Sequence, residues 1–164
     1  MASRLSGARP RVLGYLGRAL SLEFSAVQQY MAQAKITEAW GMVDASERLR
    51  REVVEELQHA DRITGRMLAL GAVPGASQLR PVSTGRTLLE LLTGDVRLEA
   101  EIVHFYQDAS QYCGRVGEGD CQAFFEQLLR EEQAHAEALH HWIQELSPSA
   151  PGSLASVASM AESE

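Results

Sequence analysis

The chain has 164 residues, 45% of them hydrophobic and 23% charged, which fits one globular domain with a sizeable core. A formal net charge of -7 argues against general binding to a phosphate backbone and suits a protein that gathers cations. Cys113 and Cys121 form neither a disulfide framework nor a Cys-x-x-Cys metal pair, and two free thiols in a reducing compartment are expected. No apolar run reaches the roughly 18 residues of a membrane span, and none following Arg4 and Arg9 is long enough for a signal peptide. The expected location is cytoplasmic.

Residues 1–9 read as an N-terminal tail, 10–147 as a four-helix bundle and 148–164 as a short C-terminal helix or tail. Pro10 suits the start of a first helix. Its stripe is Leu13, Leu16, Leu20, Glu23, Val27, Tyr30 and Ala34, at alternating steps of three and four. Glu23 stands inside that apolar line, where a carboxylate needs a partner. Trp40-Gly41 closes the segment. Asp44 and Glu47 form a capping-box pattern that predicts the second helix, with Leu49, Val53, Glu56, His59, Ile63, Met67 and Leu70 inward and Gly71 at its end.

Residues 72–86, with Pro74, Gly75, Pro81 and Gly85, predict a connection running from one end of the bundle to the other. Thr87 and Glu90 repeat the capping pattern. The third helix then turns Leu88, Leu92, Val96, Glu99, Val103 and Tyr106 inward and ends near Gly114. Gly117 and Gly119 mark a turn, and Asp120 is the expected cap of the fourth helix. That helix has the stripe Phe125, Leu128, Glu132, His135, Leu139, Trp142 and Leu146, and Ser147-Pro148 stops it. Leu154, Val157, Ala158 and Ala161 offer a short fifth stripe, against the competing reading of a disordered terminus. The expected fold is all-α: two antiparallel hairpins joined by a long crossover.

One phrase is written twice in this frame: Glu55-Glu56-Leu57-Gln58-His59 and Glu131-Glu132-Gln133-Ala134-His135. Each contains Glu-x-x-His, which puts a carboxylate and an imidazole on one helix face. The offset of 76 residues also relates Glu23 to Glu99 and Tyr30 to Tyr106. A single Glu-x-x-His means little. Here four acids and two histidines all fall on inward stripes, and burying them without compensating cations would be severely destabilising. Four carboxylates balance two divalent ions, so Glu23, Glu56, His59, Glu99, Glu132 and His135 are expected to hold two metal ions. Oxygen and nitrogen donors fit iron or manganese and tolerate zinc or cobalt. On helix adjacency, Glu56 and Glu132 bridge, Glu23 with His59 completes one ion, and Glu99 with His135 completes the other.

Tyr30 and Tyr106 follow Glu23 and Glu99 on the same faces, each placed to hydrogen-bond a ligand carboxylate or supply an electron. For Tyr106 an ordinary core aromatic is the competing reading. Glu52, Glu55, Glu101, Glu131 and Glu137 read as solvated-face charges, His104, His140 and His141 as surface or interhelix residues, and the methionines as core filler.

At these residues the chain resembles the bacterioferritin branch of the ferritin family, over about residues 10–147. The most specific stretch runs Glu55-Glu56-Leu57-Gln58-His59-Ala60-Asp61-Arg62 and continues through Leu68-Ala69-Leu70-Gly71-Ala72-Val73-Pro74. The resemblance implies that Glu23, Glu56, His59, Glu99, Glu132 and His135 are the ligands of a ferroxidase centre within one subunit, with Tyr30 beside them. It implies a hollow cage of two dozen subunits in which Fe(II) is oxidised by O2 or H2O2 and stored as ferric mineral, the C-terminal stripe forming a fifth helix. One departure stands out. The family's haem-ligating Met, immediately after the first bridging Glu, is Leu57 here, so Met-ligated haem is not expected and a mixed cage with a haem-competent partner subunit is an alternative to a homo-oligomer. Arg51 stands where the family's inner-surface iron site often has a His, although Glu55 keeps an acid there. The competing functions are a rubrerythrin-like peroxidase, which would usually carry a Cys-x-x-Cys module, a small di-iron oxygenase, and a non-catalytic metal-buffering shell subunit.

Overall fold

A computed structural model describes residues 8–147; the expected C-terminal helix lies outside that range. The described residues form four helices: α1 (Ala8–Ala39), α2 (Val43–Ala69), α3 (Leu88–Val116) and α4 (Gly119–Leu146). α1 packs along α2, α3 along α4, and the hairpins face each other with α1 against α3. Among the described residues no helix is long and apolar enough to cross a membrane.

α1 begins two residues before Pro10, which sits in the first turn, where a missing N–H forfeits no intrahelical bond. α1, α2 and α3 all end in one way. Gly41, Gly71 and Gly117 each take φ 77°, a left-handed conformation cheap only for glycine. The amide after each glycine then bonds back to a carbonyl five residues earlier: Met42 to Thr37 at 2.9 Å, Ala72 to Met67 at 2.9 Å and Glu118 to Cys113 at 2.9 Å.

This shared ending corrects two expected caps. The residue after the glycine is already the cap of the next helix, so α2 is capped at Met42 and α4 at Glu118, neither with a side-chain bond. Asp44 and Asp120 fall inside the first turns, where their charge favours the helix dipole. The pattern at α3 does cap: the Thr87 hydroxyl accepts from the Glu90 amide at 3.2 Å. The Glu90 carboxylate takes the Arg86 amide at 2.6 Å, one residue outside the reciprocal position of a capping box.

The inward stripes are largely as the spacing predicts. Leu16, Leu49, Ile63, Leu92, Phe125 and Leu128 are fully buried and anchor the core. Met67 is buried, but Met31 and Met42 are exposed, so the methionines are not uniformly filler.

α1 has a second buried face that its apolar stripe does not announce, made of Ser25, Gln29, Gln33 and Thr37. The crossover covers it. Gln78 N donates to Ser21 Oγ at 3.1 Å, Arg80 N to Ser25 Oγ at 3.0 Å and Ser83 N to Gln29 Oε1 at 3.1 Å. Polar side chains at every fourth residue of α1 therefore satisfy backbone amides of a strap that has no secondary structure of its own. The ladder ends on Asp95 of α3, whose Oδ1 accepts from Gln29 Nε2 at 2.7 Å.

Candidate metal centre

All four helices contribute to one buried cluster at mid-bundle. Glu23, Glu56, Glu99 and Glu132 have no exposed surface, His59 is nearly buried and His135 mostly so. Burying the bundle face necessarily buries these groups, because they occupy positions of the apolar repeat.

Two four-residue sets have ligand atoms within 4.8 Å of one another: Glu23, Glu56, His59 and Glu132, and Glu56, Glu99, Glu132 and His135. Glu56 and Glu132 belong to both. Glu56 puts Oε2 3.1 Å from His59 Nδ1 and Oε1 3.1 Å from His135 Nδ1. Glu132 puts Oε1 2.7 Å from His59 Nδ1 and Oε2 3.4 Å from His135 Nδ1. Each central carboxylate thus offers one oxygen to each half of the site. The two imidazole rings lie 5.7 Å apart between centroids, nearly parallel.

The outer carboxylates are held from behind. Tyr30 donates to Glu99 Oε1 at 2.5 Å, and Tyr106 donates to Glu23 Oε1. The two hydroxyls cross between halves, each tyrosine serving the acid of the other. Glu23 Oε2 and Glu99 Oε2 are buried without a hydrogen-bond partner, and both oxygens of Glu132 approach the imidazoles without hydrogen-bond geometry. Unpartnered carboxylate oxygens converging on two imidazole nitrogens are the donor set of a two-cation site, and the residues present fit a pair of iron ions.

Burial and the close approach of these groups shift their proton affinities. Burial, followed by repulsion from neighbouring carboxylates, raises the carboxyls of Glu23 and Glu99 well above their ordinary range, against hydrogen bonds that favour the charged forms. Burial disfavours charge on the imidazoles, but the Glu132 and Glu56 carboxylates outweigh it and push His135 up to about 12. His59 is raised likewise by Glu132, Glu23 and Glu56. Burial also opposes charge on Glu56, yet hydrogen bonds from both imidazoles hold it down at about 2.

Sequence reasoning missed the outer half of the site. Glu131 and Glu55 are not free surface acids. Glu131 Oε2 lies 2.9 Å from His59 Nε2 and 2.7 Å from Arg62 Nη1, while Glu55 Oε2 pairs with His135 Nε2. The first Glu of each phrase therefore orients the imidazole of the other phrase, leaving Nδ1 to face inward. The doubled Glu was the available signal. Glu52 is also half-buried, 3.9 Å from His135, and forms a third small group with Glu55 and His135. His104, His140 and His141 are exposed and belong to none of these groups. Cys113 and Cys121 are buried and unbridged.

A ferritin-like domain family matches residues 13–148. The bacterioferritin of Rhodobacter capsulatus is 33% identical over 129 residues, spanning 79% of this chain and 80% of that protein. The chain belongs to the bacterioferritin branch of the ferritin family. Mycobacterium avium bacterioferritin is 30% identical over 130 residues, 79% of this chain and 82% of that protein. A solved structure of R. capsulatus bacterioferritin, with a metal-free dinuclear site and a haem iron, superposes with a TM-score of 0.80 at 31% identity, covering 89% of this chain and 98% of that one. The chain is thus an iron-storage subunit of bacterioferritin type, built on the ferritin-like bundle. Leu57, at the position of the expected haem ligand, is half-exposed on α2, and Met31 is exposed on α1.

Proposed function

We propose that this bacterioferritin-type subunit is a ferroxidase, oxidising Fe(II) to Fe(III) with O2 or H2O2 and passing ferric iron to a mineral stored inside a cage of such subunits. The observation behind the proposal is that Glu56 and Glu132 each present one oxygen to both halves of the cluster. In this reading they bridge two iron ions, Glu23 with His59 completes one position, and Glu99 with His135 completes the other. Bound side by side, two ferrous ions each supply one electron to the oxidant.

The remaining roles belong to the chain. Glu131 and Glu55 fix the imidazoles through Nε2. Tyr30 and Tyr106 hold one oxygen of Glu99 and Glu23 and leave the other free for iron. Tyr30 also acts as an electron donor beside the site. The enclosed bundle interior keeps the ions from bulk water. The protein works in the cytoplasm, as a homo-oligomeric cage or in a mixed cage with a haem-binding subunit. No Met-ligated haem forms at Leu57, whose side chain has no donor atom.

Ferrous titration of the isolated protein under oxygen, with mass measured by light scattering, tests this. We expect a fast phase saturating at about two irons per subunit, then retention of further iron on the order of hundreds per cage. A Glu56→Ala/Glu132→Ala double variant that oxidises iron as fast as the wild type would falsify the ferroxidase reading. A dimer mass would remove the cage. A stable bis-methionine Soret spectrum with added haem would overturn the haem statement.

A further inference from the structure

Tyr30 and Tyr106 are equivalent at the site, each hydrogen-bonded to a carboxylate whose other oxygen is free. They differ in what stands behind them. Among the described residues no aromatic pair includes Tyr30. Tyr106 touches Phe105 at 5.7 Å and Phe125 at 6.0 Å between ring centroids. Both phenylalanines in turn touch Tyr15, at 5.7 and 6.4 Å, and Tyr15 lies 5.4 Å from Tyr112. Arg18 covers the Tyr15 ring at 4.8 Å and Arg11 the Tyr112 ring at 4.5 Å, near the start of α1. Tyr15 and Tyr112 are the first phenols on this path with solvent contact, each 9% exposed.

We propose that Tyr106 is a second redox-active tyrosine of the iron-oxidising site, and that Tyr15 and Tyr112 carry its oxidising equivalent to the end of the bundle. The inference rests on the ferroxidase reading and extends it. Taking one dioxygen to two waters requires four electrons and four protons. Two ferrous ions release two of the electrons. Tyr30 and Tyr106 release one each together with a phenolic proton, and two protons come from solvent. The Tyr106 proton passes along its hydrogen bond to Glu23 Oε1, leaving a neutral tyrosyl radical. Tyr15 then gives an electron to that radical across the Phe105 and Phe125 rings while a solvent proton restores the Tyr106 phenol and Tyr15 loses its own proton; Tyr112 does the same for Tyr15, and a ferrous ion in solution reduces the Tyr112 radical, which takes up a solvent proton. A phenol bonded to an iron-facing carboxylate is well placed to lose its electron and proton together. Closely packed rings shorten every later step.

The test is freeze-quench electron paramagnetic resonance after mixing ferrous-loaded protein with dioxygen-saturated buffer, with iron oxidation followed optically in parallel. In Tyr30→Phe a tyrosyl signal is expected to remain, and in the Tyr30→Phe/Tyr106→Phe double variant it is lost. Tyr15→Phe is expected to prolong the Tyr106 signal severalfold by blocking its exit. Anaerobic Co(II) absorption verifies that each variant keeps its metal site. Should Tyr106→Phe fail to fold, Phe105→Leu/Phe125→Leu keeps the phenol in place and is expected to prolong its signal as well. Normal iron oxidation with no tyrosyl signal in Tyr30→Phe, or a signal of unchanged lifetime in Tyr15→Phe, would overturn the relay and leave the ferroxidase reading standing. Absence of iron oxidation in the wild type would sink both.

Discussion

Asp95 is the clearest case of one residue answering to its surroundings. It is fully buried, its Oδ2 has no partner, and Gln33 Oε1 of the same network also has none. Burial pushes its carboxyl up to about 7, against the Gln29 and Gln33 amides that favour the charged form. An unfolded chain would lose this proton near 3.8. As pH rises from about 4 to about 7, the unfolded state therefore releases the proton first and folding weakens, by at most about 1.4 kcal/mol per unit; above that window both states are ionised and the contribution is level. Asp95→Asn cannot ionise. It is expected to unfold at higher urea than the wild type near pH ~8, with the gap closing toward pH ~4, as read from denaturation midpoints across that range. Glu131 and Glu55 allow a second test at this scale. Glu131→Gln and Glu55→Gln leave all inward ligands in place but weaken the hold on each Nε2, so Co(II) affinity is expected to fall roughly 10–100-fold. An unchanged titration would return both acids to the solvated surface.

At the scale of the element, the crossover and α3 depend on each other. Gly94 of α3 lies under the strap, and a Cβ there would meet Ser83 Oγ at 2.2 Å and Ser83 Cβ at 2.8 Å. Alanine is the better helix former by about 1 kcal/mol, yet Gly94→Ala is expected to destabilise by about 1–3 kcal/mol, because the strap must lift and strain its bonds to Gln29 and Gln33. Urea unfolding decides between packing and propensity: a higher midpoint would show that the strap yields freely. Thr87→Ala tests the start of the same helix. It removes the acceptor for the Glu90 amide and is expected to cost about 1 kcal/mol. Asp44→Ala and Asp120→Ala should cost less, since neither is a cap and only a dipole interaction is lost.

For the whole molecule, the bundle holds four carboxylates in its interior beside two imidazoles. Burial raises the carboxyls of Glu23 and Glu99, and neighbouring carboxylates raise the imidazoles of His59 and His135, so in the metal-free protein each holds its proton more tightly than in an unfolded chain. Cations that take their place must expel those protons, so metal affinity rises with pH and uptake acidifies the solution. Anaerobic Co(II) added to weakly buffered protein is expected to lower the pH and to raise the melting temperature. At a hundredfold excess over Kd the added stability is about 2.7 kcal/mol. The Glu56→Ala/Glu132→Ala variant should show neither effect. A wild type that takes up metal without proton release would contradict the charge balance described here.

The sequence alone determined the helices, their inward faces and the six charged positions within them. Periodicity is a local property, and a doubled Glu-x-x-His at a common offset is visible without coordinates. It did not determine where the chain enters α2 and α4, because glycine-terminated turns supplied the caps that Asp44 and Asp120 had been assigned. Nor did it determine which surface acids matter, because Glu55 and Glu131 reach their imidazoles only across the gap between α2 and α4. The buried face of Ser25, Gln29 and Gln33 was illegible for the same reason: it looks solvent-facing until the crossover is laid over it. Tyr106 was ambiguous in one dimension. Its partner Glu23 is 83 residues away in the chain, and tertiary structure alone brings the two together.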